Sequence, residues 1–169
     1  MNNNDSDIVH YQMGYVTNDI DRAYDIFIND YGLTKAFMMK DAGGMQRFPA
    51  GPEYASMHLF TGWIGNLHYE IIQPVSGKTD LYSDFLPKSG FGIVFHHFGY
   101  EVAAPIERWE SLREELYATK KVAVESPEET PLKAIYIDER ERLGHYHEYV
   151  WFPPDFRRRK PLLTEKLLG

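Results

Sequence analysis

Two short strings in this chain of 169 residues could hold an ion between them. Gln12-Met13-Gly14-Tyr15 recurs as His97-Phe98-Gly99-Tyr100, and an acid-studded amphipathic stretch follows each copy. Further on, each half carries one carboxylate in an apolar run shortly before a proline: Glu70 before Pro74, and Glu148 before Pro153. Glu70 lies 58 residues after Gln12, and Glu148 lies 51 after His97. A duplicated unit with one N or O donor on its first strand and another on its last can surround a single ion from two sides. An amide oxygen, an imidazole and two carboxylates suit Zn²⁺, Ni²⁺, Co²⁺, Mn²⁺ or Fe²⁺ rather than copper(I) or an iron–sulfur cluster. Such an ion polarises a substrate carbonyl and makes the neighbouring proton acidic. Glu148 is then the first choice of base and Glu70, across the site, the second. Either acid alone reads more simply as an exposed edge residue. Two acids in apolar strands with partners in matching register are costly unless a cation offsets their desolvation.

The elements that must position these residues repeat as well. Ile8 to Val16 reads as a strand, and Asn18 or Asp19 can cap a helix carrying Ile20, Ala23, Tyr24, Phe27, Ile28 and Tyr31 on one face, closed by Gly32. Leu33 to Met39, Ala55 to Gly62 and Asn66 to Gln73 read as strands, and the Gly- and Pro-rich stretch Asp41 to Tyr54 as a loop. The connector Pro74 to Gly92 holds a short helical piece, Asp80 to Leu86. Phe91 to Val102 then restarts the pattern, with Pro105 opening a helix whose apolar face is Ile106, Trp109, Leu112 and Leu116. Lys121 to Val124, Leu132 to Ile137 and His145 to Phe152 complete a second βαβββ unit. The predicted fold is α+β: two βαβββ modules whose curved mixed sheets are paired around a cleft. One domain is expected over residues 1–153, from modules 8–74 and 91–153, with a tail at 154–169. Strand alternation turns Gln12, His97, Glu70 and Glu148 toward the cleft, with His68 and Tyr146 beside the acids. It turns His96 away, and His145 and His147 away from Glu148.

Bulk properties narrow the partners. The net charge of −7 argues against general nucleic-acid or anionic-membrane binding. Zero cysteines exclude thiolate catalysis, thiolate ligation and disulfides. Asn2 to Asp7 lacks the basic and apolar regions of a signal peptide, so a cytoplasmic location is expected. The partner expected is a small-molecule substrate, and sheet edges left over would allow a homodimer. The basic run Arg157 to Lys160 reads as a solvated tail, with the phosphates of a CoA-like substrate as its alternative partner.

Four segments, QMGYVTNDIDRA from Gln12, HYEIIQP from His68, GIVFHHFGYEV from Gly92 and LGHYHEYVWFP from Leu143, together resemble the vicinal oxygen chelate superfamily. That superfamily includes glyoxalase I, methylmalonyl-CoA epimerase, extradiol dioxygenases and bleomycin-resistance proteins. The resemblance spans almost the whole chain to Pro153 and is nearest the glyoxalase–epimerase branch. It implies a glyoxalase-like fold and places Gln12, Glu70, His97 and Glu148 on the four ligand positions of a divalent metal ion. His10, two residues before Gln12 and on the same face under simple alternation, is the alternate first ligand. The reaction implied is a metal-dependent isomerisation, epimerisation or lyase step that moves an α-proton. The alternatives are an Fe(II) extradiol-type dioxygenase, which needs His10 as a second histidine ligand, and a metal-free, resistance-type binding protein.

Overall fold

The computed structural model describes residues 7–155. The basic run Arg157 to Lys160 lies outside the described residues. Along the chain come β1 (Ile8–Thr17), α1 (Ile20–Asn29), β2 (Thr34–Phe48), β3 (Gly51–Ile64), β4 (Leu67–Gly77) and α2 (Asp80–Ser83). They are followed by β5 (Ile93–Val102), α3 (Ile106–Thr119), β6 (Val122–Glu125), β7 (Lys133–Asp138), α4 (Arg140–Leu143) and β8 (Tyr146–Trp151). The two βαβββ modules are those predicted. Their strands join in the order β1-β4-β3-β2-β6-β7-β8-β5, and the ring closes into a barrel. Within each module the first and last strands are parallel neighbours, β1 with β4 and β5 with β8. The modules meet along the antiparallel β1–β5 pair. On the far side, β2 and β6 touch through one pair, Arg47 with Glu125. The cleft between the sheets is thus the inside of this barrel.

The helices cover the outside. Asp19 caps α1 by accepting a hydrogen bond from the Arg22 amide, and Ile20, Ala23 and Phe27 pack on Phe60 and Ile71. Pro105 stands just ahead of α3, whose Trp109, Leu112 and Leu116 pack on Val102, Ile135 and Ile137. The connector turns inward instead. Leu81 and Tyr82 of α2 are buried among Val16, Met57 and Ile72 of the first module and Val124, Tyr136 and Tyr146 of the second. They plug one end of the barrel. Among the described residues no helix is long and apolar enough to cross a membrane.

The structure corrects two sequence expectations. Residues 41–54 are not a loop: β2 and β3 pair through this region, with Met45 opposite Tyr54 and Phe48 opposite Gly51. Gly43 marks a close approach here, because a Cβ would lie 2.2 Å from the Tyr54 hydroxyl. The turn itself is confined to Pro49 and Ala50, after which Gly51 takes a positive φ of 128°. The second correction concerns alternation. The β1–β5 register slips between His10 and Gln12 and between Gly14 and Tyr15, so Tyr11 and His96 are extra residues in bulges. A bulge reverses the facing of everything beyond it. His96 is therefore inside and wholly buried, whereas His10 is exposed on the outer face, its ring against Phe98 and Tyr100.

Candidate metal centre

The centre is built on the β1–β5 pair, where Gln12 lies opposite Gly99 and His97 opposite Gly14. A Cβ on Gly14 would lie 1.8 Å from the His97 ring, and one on Gly99 would lie 2.7 Å from Gln12 Oε1. Each glycine of the repeated string is therefore the floor for the other string's polar side chain. The outer strands continue the two rows. Glu70 on β4 neighbours Gly14, and Glu148 on β8 neighbours Gly99. The rows Glu70–Gly14–His97 and Gln12–Gly99–Glu148 are related by a pseudo-two-fold axis between β1 and β5.

Of the four residues expected here, three converge by measured distance. His97 Nε2 is 3.6 Å from Glu70 Oε2 and 3.4 Å from Glu148 Oε2. One donor atom from each of the three lies within 4.8 Å of the others. Gln12 faces the same interior at 3% exposure, with its Oε1 buried and lacking a hydrogen-bond partner. His97 Nε2 likewise makes no hydrogen bond. Solvent reaches the group from the carboxylate side, where the Glu70 and Glu148 side chains are 18% and 10% exposed. Two carboxylates facing an imidazole nitrogen need positive charge among them, and a buried orphan amide oxygen adds a fourth hard donor. The donor set fits a divalent cation.

His10 does not join them. The bulge at Tyr11 turns it to the outer surface, where its Nε2 sits 3.1 Å from the Gln12 carbonyl oxygen. His145 and His147 lie opposite Glu148's face, as expected. His68 and Tyr146 line the interior: His68 stacks on Tyr11 at 5.9 Å, and Tyr146 lies 4.9 Å from the His96 ring. The loop at Ser126 and Pro127 edges a cavity of ≈ 500 Å³ beside Arg47, Arg113 and Glu125, away from the ligands. Between α2 and strands β2, β3, β6 and β7 a smaller cavity of ≈ 40 Å³ reaches Tyr136.

Two supporting groups escaped the sequence reading. Tyr136 stands directly opposite Glu148 across the β7–β8 pair, on the same face of the sheet. Burial, then the charge of Glu148, holds its phenol far above the usual range, so the hydroxyl keeps its hydrogen and is able to donate. The Tyr82 ring of α2 meets the Tyr136 ring edge to face, with centroids 6.4 Å apart. Pairing Leu132 to Ile137 with the Glu148 strand was the signal that could have found Tyr136. The other group is His96. Its Nδ1 lies 2.9 Å from His97 Nδ1 and its Nε2 lies 2.9 Å from the Leu81 carbonyl oxygen. Burial, then neighbouring His97, holds its pKa well below that of an ordinary histidine.

No known family pattern matches this chain, and no curated protein does. Solved structures do. Methylmalonyl-CoA epimerase from Mycobacterium tuberculosis matches with a TM-score of 0.54 at 12% identity, over 88% of this chain and 91% of that one. A hypothetical protein from Bacillus halodurans gives 0.52 at 16% identity, over 86% and 95%. A variant of Streptomyces coelicolor methylmalonyl-CoA epimerase, in complex with 2-nitronate-propionyl-CoA, gives 0.51 at 11% identity, over 85% and 96%. With its paired βαβββ modules and mixed sheet, the chain has the glyoxalase-like fold that these epimerase structures share.

Proposed function

We propose that this protein is a metal-dependent isomerase, epimerase or lyase that moves a proton from the carbon beside a substrate carbonyl. The observation that carries the reading is the convergence of Glu70, His97 and Glu148 within 4.8 Å, together with the buried, unpartnered Gln12 Oε1. Gln12, Glu70, His97 and Glu148 would hold a divalent ion of the Zn²⁺, Ni²⁺, Co²⁺, Mn²⁺ or Fe²⁺ class. When bound, that ion supplies Lewis-acid polarisation of the carbonyl and stabilises the oxyanion that grows on it.

The chain's own residues supply the proton chemistry. Glu148 takes the proton, and Tyr136 orients its carboxylate by donating to it. Glu70 comes from the other module and is the second base, suited to delivering a proton to the opposite face. Positioned acid–base groups of this kind contribute roughly 10²–10⁴-fold in rate. Leu81, Tyr82 and Tyr136 keep bulk water from the α2 end of the site. The fold neighbour in complex with a propionyl-CoA derivative supports acyl-CoA thioesters as the first substrates to try.

The outward position of His10 weighs against a two-histidine iron centre. A metal-free binding protein would leave Gln12 Oε1 and His97 Nε2 orphaned. The test is elemental analysis of the purified protein alongside deuterium uptake at the α-carbon of acyl-CoA thioesters and hemithioacetals in D₂O. About one equivalent of divalent metal per chain is expected, with uptake abolished by a chelator and restored by the metal. A protein that takes up no divalent ion at neutral pH sinks the reading.

A further inference from the structure

The bulge in β5 puts two histidines in the interior in succession, and His96 has no place in the chemistry described so far. Its ring is wholly buried, walled by Phe85, Tyr146 and Tyr82 at 4.8, 4.9 and 5.1 Å. The Leu81 carbonyl oxygen, 2.9 Å from His96 Nε2, can only accept, so His96 Nε2 carries a hydrogen. An imidazolium in this apolar wall would be costly, so the ring is neutral and its Nδ1 is a bare lone pair. His97 Nδ1 lies 2.9 Å from that lone pair. Two bare nitrogens at this distance would repel each other, so His97 Nδ1 carries a hydrogen and donates it. That leaves His97 Nε2 as the atom free for a ligand bond, and it is this atom that faces Glu70 and Glu148.

The geometry points to His96 as a positioning residue: anchored by the Leu81 carbonyl, it fixes the His97 tautomer and ring orientation in which Nε2 binds the metal. This inference rests on the proposed metal centre. Outer hydrogen bonds of this type set both the tautomer and the basicity of a ligating histidine. The first module has no equivalent, because the corresponding bulged residue is Tyr11 and the corresponding donor is Gln12, whose amide has no tautomer to fix.

Two substitutions separate this role from packing. His96→Phe keeps a ring of similar size and removes the acceptor. His96→Gln gives up the ring but can accept from His97 and donate to Leu81. Relative to wild type, H96F is expected to lose about 10–100-fold in Co²⁺ or Zn²⁺ affinity, measured by competition with a chromophoric chelator. H96Q is expected to recover most of that affinity and to keep the visible spectrum of the Co²⁺ protein. A residue that merely fills space predicts the reverse order. Equal affinity of H96F and wild type, or H96Q as weak as H96F, overturns the proposal. Nitrogen-15 spectra of histidine-labelled, metal-free wild type provide an arm that needs neither variant nor metal. They should show His96 as the neutral Nε2–H tautomer, and the Nδ1–H tautomer refutes the relay. If wild type binds no Co²⁺, the metal centre itself fails, while the spectra still decide the arrangement of the two rings.

Discussion

The two halves of the barrel agree at the centre and part company at the edges. Gln12, Gly14 and Glu70 of the first correspond to His97, Gly99 and Glu148 of the second, in matching register across the β1–β5 pair. Even the bulge is duplicated. In the first half it inserts Tyr11 stacked on His68, and in the second it inserts His96 beside Tyr146, so histidine and tyrosine have exchanged places. Away from the centre, β2 and β3 run 15 and 14 residues, whereas their counterparts β6 and β7 run 4 and 6. Duplication was held where a side chain must lie against a facing backbone, and relaxed in the strands that carry none of the four donors.

Activity offers the largest way to break this symmetry. Glu148→Gln is expected to lower kcat by about 10²–10⁴-fold, while Glu70→Gln costs less at the same step. Steady-state turnover and α-deuterium exchange would measure both, and a larger loss at Glu70 would reverse the assignment of the first base. Stability offers the next contrast. Gly14→Ala drives a methyl into the buried His97 ring, whereas Gly99→Ala meets the end of the Gln12 side chain, which has more freedom to move. Overpacking of a buried site costs roughly 1–3 kcal/mol, and G14A should lie at or beyond the upper end. G99A should lie below it. Urea denaturation decides this, and equal costs would show that the two floors are not under unequal constraint.

Tyr136→Phe removes the hydroxyl proposed to orient Glu148, its partner across the β7–β8 pair. The expected loss is about 1 kcal/mol of stability for one hydrogen bond, with a fall in kcat that exceeds any change in KM. The smallest effect concerns the far seam. Burial works to raise the Glu125 pKa, but Arg113, Tyr117 and Arg47 outweigh it and hold the carboxyl below its ordinary value of 4.5. A depressed folded-state value means that the stabilisation is complete above pH 4.5 and drains away as pH falls through the lower, folded value. Melting temperatures of wild type and Glu125→Gln should therefore differ near neutrality and converge in acid. A gap that persists at low pH would assign the effect to packing.

Much of this was legible before any coordinates. The helices announced themselves by three- and four-residue spacing, with Asp19 as a cap that the structure reproduces. The twin strings and the two acids marked the centre because their spacing repeats. Bulges left no such mark. A single inserted residue changes no composition and no periodicity that a short strand can display, so His96 was turned out and His10 was turned in. The Gly-Gly pair at 43 and 44 looked like a loop because glycine is the usual sign of one; here Gly43 yields space to Tyr54 across a hairpin. Tyr136 was hidden for another reason. Its role depends on which strand lies beside β8, and that is a property of topology.

The seam between β2 and β6 has one further consequence. Everywhere else the barrel is laced by runs of backbone pairs, but there a single pair is reinforced by side-chain charge, with Arg47 3.7 Å from Glu125 and Arg113 hydrogen-bonded to it. Amide ladders are almost indifferent to dissolved ions, and the carboxylate of Glu125 is buried, but Arg47 is open to water and also pairs at 3.8 Å with exposed Glu128, a contact that weakens as the Debye length shrinks from about 10 Å at 0.1 M salt to about 3 Å at 1 M. The wall of this barrel therefore has one edge whose tightness follows the ionic strength of its surroundings. Amide exchange at Val124 and Glu125 should quicken with added salt while that of the β1–β5 pair stays put.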